Sequence, residues 1–144
     1  MIDVRTAPYG LLLLRLALGL MFVSHGLMKV IVFTIPGTVG YFESIGLPGV
    51  LAYLTILAEV GGGALLILGV YARIVAVLLI PVLAGAWIFG HAGNGWLFSN
   101  PGGGWEYIAF LIVASLTVAL AGEGALALKP TASGALTLQP SSRA

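Results

Sequence analysis

Apolar runs of about 16 to 22 residues, interrupted by at most a few polar side chains, alternate along this chain with short glycine- and proline-containing stretches. From Gly10 the sequence GLLLLRLALGLMFVSHGLMKVIVF is apolar apart from Arg15, Ser24, His25 and Lys29, which predicts a first helix over Leu11–Val32. Residues 33–50 hold two prolines, four glycines and Glu43, a composition that predicts a connecting loop. A second helix is expected over Leu51–Val70 with Glu59 near its middle, close to the ~20 residues that span a bilayer. Tyr71-Ala72-Arg73 then turns into a third helix, Ile74–Phe89, kinked at Pro81, where neighbouring helices can satisfy the freed carbonyl. The glycine-rich residues 90–104 predict a second loop, and Trp105–Ala121 a fourth and shortest helix. The expected architecture is all-α: a four-transmembrane-helix bundle over residues 1–124, followed by a mobile tail over 125–144 rich in Ser, Thr, Ala and Pro.

Composition supports lipid as the main solvent. The chain has 144 residues, of which 60% are hydrophobic and 8% charged, against about 25% charged in an ordinary soluble domain. A net charge of +1 leaves no basic surface for nucleic acid, which is excluded as a partner. Without cysteine the chain makes no disulfide, thiolate metal site or thiol relay. The first apolar run is too long for a signal peptide and has no small-residue cleavage site, so it is expected to stay in the mature protein. No myristoylation or prenylation signature is present. Counting cations in short loops puts Arg5, Arg73, Lys129 and Arg143 on one side, which predicts an N-in, C-in protein of the cell (plasma or inner) membrane. Trp87, Trp96 and Trp105 would then share the outer rim, as indoles at a headgroup boundary do.

The chemistry is confined to few residues. At 1.5 Å per residue Glu59 lies roughly 12 Å below the outer end of its helix, and His25 and Lys29 roughly 10 and 5 Å below theirs. His25 and Lys29, four apart, share a helical face with Arg15 and Phe22. A charge at that depth costs ~2.5–3.5 kcal/mol and seeks a partner; Lys29 is the best placed for Glu59. Glu106 opens the last helix and His91 closes the third on the same side, so a polar pocket opening outward is expected from His25, Lys29, Glu59, His91 and Glu106. Each has a plainer reading: a register-fixing ion pair for Glu59 with Lys29, snorkelling for Arg15 and Lys29, an interhelical hydrogen bond for His25, and a helix cap for Glu106. Two histidines on different helices do not make a metal site, and no metal is expected. The Gly61-Gly62-Gly63 run, inside a span, points to close helix packing.

The pattern Arg15-x-x-Leu18-Gly19-x-x-Phe22-x-x-His25-Gly26-x-x-Lys29, with Gly46-Leu47-Pro48, Ala58-Glu59, Gly69-x-x-Ala72-Arg73, Gly103-x-x-Glu106-Tyr107 and Gly122-x-Gly124, resembles the DoxX family of small membrane proteins over nearly all of residues 11–124. The chain departs from it at Gly122–Lys129, where relatives read closer to a Gly-Pro-Gly turn followed by Ser-Leu-Asp. The resemblance implies a four-helix bundle and membrane redox chemistry, as a subunit of a thiosulfate:quinone oxidoreductase or a partner of oxidative-stress enzymes. It carries Arg15, His25, Lys29, Glu59 and Glu106 over as family polar positions.

Two functions compete. One is a quinone-linked oxidoreductase subunit with no covalent cofactor, binding quinone between the first, second and fourth helices, with Arg15, His25, Lys29, Glu59, His91 and Glu106 as candidate site residues. The other is a non-catalytic accessory subunit that assembles with other membrane subunits, or with itself, through glycine-lined faces. A proton or solute pathway is weaker, because Arg15 and Glu59 form no continuous polar chain.

Overall fold

The computed structural model describes residues 3–132, in which every regular element is helical and one isolated bridge joins Val70 and Lys129. Helix α1 (Ala7–Ile31) carries Pro8 in its first turn, where a missing N–H costs nothing. A short α2 (Ile35–Ser44) follows, then α3 (Val50–Leu68), α4 (Ala72–Gly85) and α5 (Glu106–Ala121). Beyond α4 the chain winds wider, as a π turn over Ala86–His91, then tightens into a 3₁₀ turn over Ala92–Asn94. Three helical stretches, Ala7–Ile31, Val50–Leu68 and Ala72–Asn94, are long and apolar enough to cross a membrane. Helix α5 has 16 residues, about 24 Å at the standard rise.

Only a narrow stripe of each helix is buried. On α1 it is Arg15, Leu18, Gly19, Phe22 and Gly26, recurring at three- and four-residue steps. Leu13, Leu20 and Ile31 stay 59–72% exposed on the other faces, where lipid rather than water is the natural solvent. The bundle is built as two close pairs, α1 with α3 and α4 with α5, joined mainly across α3 and α4. The first pair meets at glycine: a Cβ on Gly19 would stand 2.7 Å from the Gly63 carbonyl oxygen, and one on Gly63 2.7 Å from that of Gly19. Leu66, Ala72, Val75, Ala76, Leu79 and Leu83 pack with Ile108, Leu111, Ala114 and Val118 to form the common core.

Three elements differ from the sequence expectation. Residues 35–44, expected as loop, form α2, because Thr34 Oγ1 accepts from Gly37 N (3.3 Å) and Pro36 sits in the first turn, where proline starts a helix rather than breaking it. Helix α4 runs through Pro81, and the change of winding comes later, at 86–91. Residues 125–132, assigned from sequence to a mobile tail, lie against the bundle: Ala125 N donates to Pro8 O, Leu128 N to Leu68 O, and Lys129 N to Gly69 O (2.8–3.1 Å). The remainder of that tail, with Arg143, falls outside the described residues.

Candidate functional site

Lys29 stands in the last turn of α1, and its ammonium donates to both oxygens of Glu59 on α3, at 2.9 and 2.7 Å. It is the one ion pair within 4 Å among the described residues. The carboxylate is nearly buried, whereas the Lys29 side chain keeps 20% of its surface exposed. The backbone around the lysine is fixed by α2, since Thr38 Oγ1 donates to Lys29 O (2.9 Å) and is itself buried. One turn earlier, His25 Nδ1 lies 2.9 Å from Met21 O. A carbonyl can only accept, so Nδ1 carries the hydrogen and the neutral ring presents Nε2 as a lone-pair acceptor. The ring lies over Tyr107 of α5, centroids 6.2 Å apart and planes inclined 29°.

Two candidates do different work at the same end. His91 Nδ1 donates to Gly103 O (2.8 Å), and Glu106 Oε1 accepts from Phe98 N (2.8 Å). Both tie down the 90–105 loop, helped by Asn94 Nδ2, which donates to Gly90, Gly102 and Gly103 oxygens. Trp87 and Trp105 stack at 4.8 Å and Trp96 meets Trp105 edge-on at 4.5 Å, so the three indoles form a cluster that joins the loop to the helical stretch before it. Arg15 stands fourteen residues before Lys29, about 21 Å along α1, and belongs to the opposite end of the bundle. The structure therefore joins His25, Lys29 and Glu59 in one cluster and sets Arg15 apart. No group of three or more His, Cys, Asp or Glu side chains among the described residues could hold a metal.

Beside the cluster runs an apolar groove of about 330 Å³ between α1, α2 and α3, lined by Leu27, Val30, Ile35, Tyr53, Ile56, Leu57 and Val60. Val30 and Val60 directly follow Lys29 and Glu59 in sequence. Thr38 and Tyr107 were not singled out by sequence reasoning as site residues. The signals were there: Thr38 stands one turn after the Thr34 cap, and Tyr107 one residue after Glu106.

The family model for DoxX matches residues 10–92, which include Arg15, His25, Lys29, Glu59 and His91. The chain belongs to the DoxX family. It is 38% identical over 121 residues to a Bacillus subtilis protein named "Putative oxidoreductase CatD", covering 84% of this chain and 85% of that one. It is 37% identical over 122 residues to an uncharacterized protein of Haemophilus influenzae, covering 84% and 89%. To the Escherichia coli inner membrane protein YphA it is 36% identical over 86 residues, covering 58% and 60%. No solved structure matches this chain. Family and apolar helices together make this DoxX protein a multi-pass membrane protein.

Proposed function

We propose that this DoxX protein is a quinone-associated subunit of a membrane redox system, with the quinone head group held at the His25–Lys29–Glu59 cluster. The observation that carries this reading is a carboxylate–ammonium pair within helices that face lipid, its lysine still partly open, beside an apolar groove. A ligand with a small polar head and a long apolar tail suits that juxtaposition. The donor set fits in kind. Lys29 supplies a cationic donor for a ring oxygen, and His25 Nε2, an acceptor in the neutral tautomer, suits the hydroxyl of the reduced form. Glu59 takes or returns the proton, and Lys29 compensates its charge when ionised. The bound quinone would supply the two-electron chemistry, and a partner subunit the electrons. The name of the Bacillus subtilis relative points the same way.

In this reading α5 is a fourth span, both chain ends are cytoplasmic, and the membrane is the plasma or inner membrane. The tryptophan cluster then sits at the outer rim.

Protein purified in mild detergent should retain quinone, and His25→Ala should release it without loss of fold, because His25 bonds only its own helix and the face of Tyr107. Lipid extracts of wild type and variant, with quinone titrated against tryptophan fluorescence, read this out. No retained quinone and no saturable quenching would favour the accessory-subunit reading. That alternative rests on the closure of the Lys29–Glu59 pair, which satisfies both charges without a ligand.

A further inference from the structure

At the end of the bundle opposite the Lys29–Glu59 pair, Arg15 is fully buried, with 0% of its surface exposed. Its Nη2 donates to the backbone oxygen of Ala125 at 3.1 Å. Nε and Nη1, also buried, have no hydrogen-bond partner among the described residues. A buried guanidinium left with one neutral acceptor is costly unless a counter-charge acts on it. The carboxylate placed nearby is Glu123, two residues before Ala125 and itself 8% exposed, which forms no direct ion pair with Arg15.

Both partners of Arg15 therefore lie on the segment that follows α5. Backbone geometry is cut to receive that segment. Gly124 has φ +73°, and a Cβ there would stand 2.6 Å from Leu12 N and Pro8 O. Gly69 has φ +68°, and a Cβ there would collide with Arg15 Nη1 and stand 2.6 Å from Ala127 Cα. Glu123 Oε1 closes the turn by accepting from Thr131 N at 2.8 Å, and Lys129 Nζ sits 4.9 Å above the Tyr71 ring.

We propose that residues 123–131 form a latched strap across the tail end of the bundle, with Arg15 as the internal anchor and Glu123 as its counter-charge. The strap is poised rather than locked. Closing it gives Arg15 one acceptor and a distant carboxylate; opening it gives the two unmet N–H groups to water. Four backbone bonds, with Glu123 and Lys129, hold it shut: the three from Ala125, Leu128 and Lys129, and Tyr71 N to Lys129 O at 2.8 Å. Arg15 is accordingly a positioning residue for the strap, independent of any quinone site.

Hydrogen–deuterium exchange of the full-length protein in detergent tests this at the Leu128 and Lys129 amides, which bond to Leu68 and Gly69 and touch neither Arg15 nor Glu123. In wild type they exchange slowly. Glu123→Gln and Gly124→Ala should each speed them about tenfold, with the central helix amides of α1 and α3 unchanged. Arg15→Met should do the same where it folds. Should it fail to fold, the other two variants decide. Unchanged Leu128 and Lys129 exchange in Glu123→Gln and Gly124→Ala would overturn the latch, as would exchange in wild type as fast as in an unstructured peptide. A merely structural Arg15 would lower the melting temperature and leave strap exchange where it was.

Discussion

At the scale of single residues, the Lys29–Glu59 pair holds the sharpest consequence. Each charge would be uncomfortable alone between helices that face lipid, and together they are within 2.7–2.9 Å. Glu59→Gln and Lys29→Met should each destabilise the protein in detergent, and the double variant by less than their sum, with a coupling of about 1 kcal/mol. Strict additivity in that cycle would show that the pair carries no interaction of its own. The pair was legible from the sequence because depth in a helix is counted directly from residue numbers. What His25 does was not: its tautomer follows from the Met21 carbonyl and its packing from Tyr107 of another helix, neither of which sequence spacing reveals. Arg15 shows the same limit more strongly. Face and spacing put it in line with His25 and Lys29, but its partners are Ala125 and Glu123, more than a hundred residues on. Arg73, which the sequence placed in a turn and on the cation-rich side, donates from Nε to Ala119 O (2.8 Å) and so satisfies a carbonyl in the last turn of α5.

At the scale of elements, the contact between α1 and α3 depends on two glycines that let the backbones approach. Gly19→Ala and Gly63→Ala should each cost about 1–3 kcal/mol, the usual range for overpacking. Gly61→Ala, on the same helix with open space at its Cβ, should be neutral or stabilising by about 0.5–1 kcal/mol, because alanine is the better helix former. Thermal melts of the three variants check this, and equal losses at Gly61 and Gly63 would contradict the close approach. The strap offers a second test. Burial pushes the Glu123 carboxyl up, but hydrogen bonds with Thr131, together with those from the backbone of Glu123 itself and of Arg73, outweigh that and hold it below the usual carboxylate range. A carboxyl depressed in the fold stabilises at neutral pH, and that stabilisation is lost as pH falls through the depressed value. The melting difference between wild type and Glu123→Gln should therefore be largest near neutrality and vanish in acid. A difference independent of pH would remove Glu123 from the strap. Helix α2 was hidden from the sequence by its own proline: Pro36 reads as a breaker until Thr34 is seen to cap the turn it starts.

At the scale of the whole molecule, the expected four-helix order reads from hydropathy alone, since long apolar runs specify helices whatever their partners. Hydropathy does not settle how many of them cross. Three stretches reach membrane length, while α5 has 16 residues, about 24 Å against a hydrocarbon core of ~30 Å. Two structural facts favour a crossing. The start of α5 is tied to the 90–105 loop through Glu106 and Trp105, and its end to the strap and to Arg73, so its two ends lie at opposite ends of the bundle. Its buried face packs along α4 throughout, from Ile108 to Val118. On the four-span reading proposed above, α5 crosses with its neighbour α4, and the short rise would be made up by the apolar loop residues Trp96, Leu97 and Phe98, each more than half exposed, and by local thinning of the bilayer. The native chain has no cysteine, so single cysteines report without background. A cysteine at Ser99, in the 90–105 loop, should react with an impermeant maleimide from outside intact cells. One at Thr6, before α1, should react only after the membrane is opened, as should one at Ala72 beside the Arg73 turn once detergent unpacks the bundle. Labelling of Thr6 and Ser99 from the same side would reduce the protein to a different number of spans and withdraw the cytoplasmic assignment of both ends.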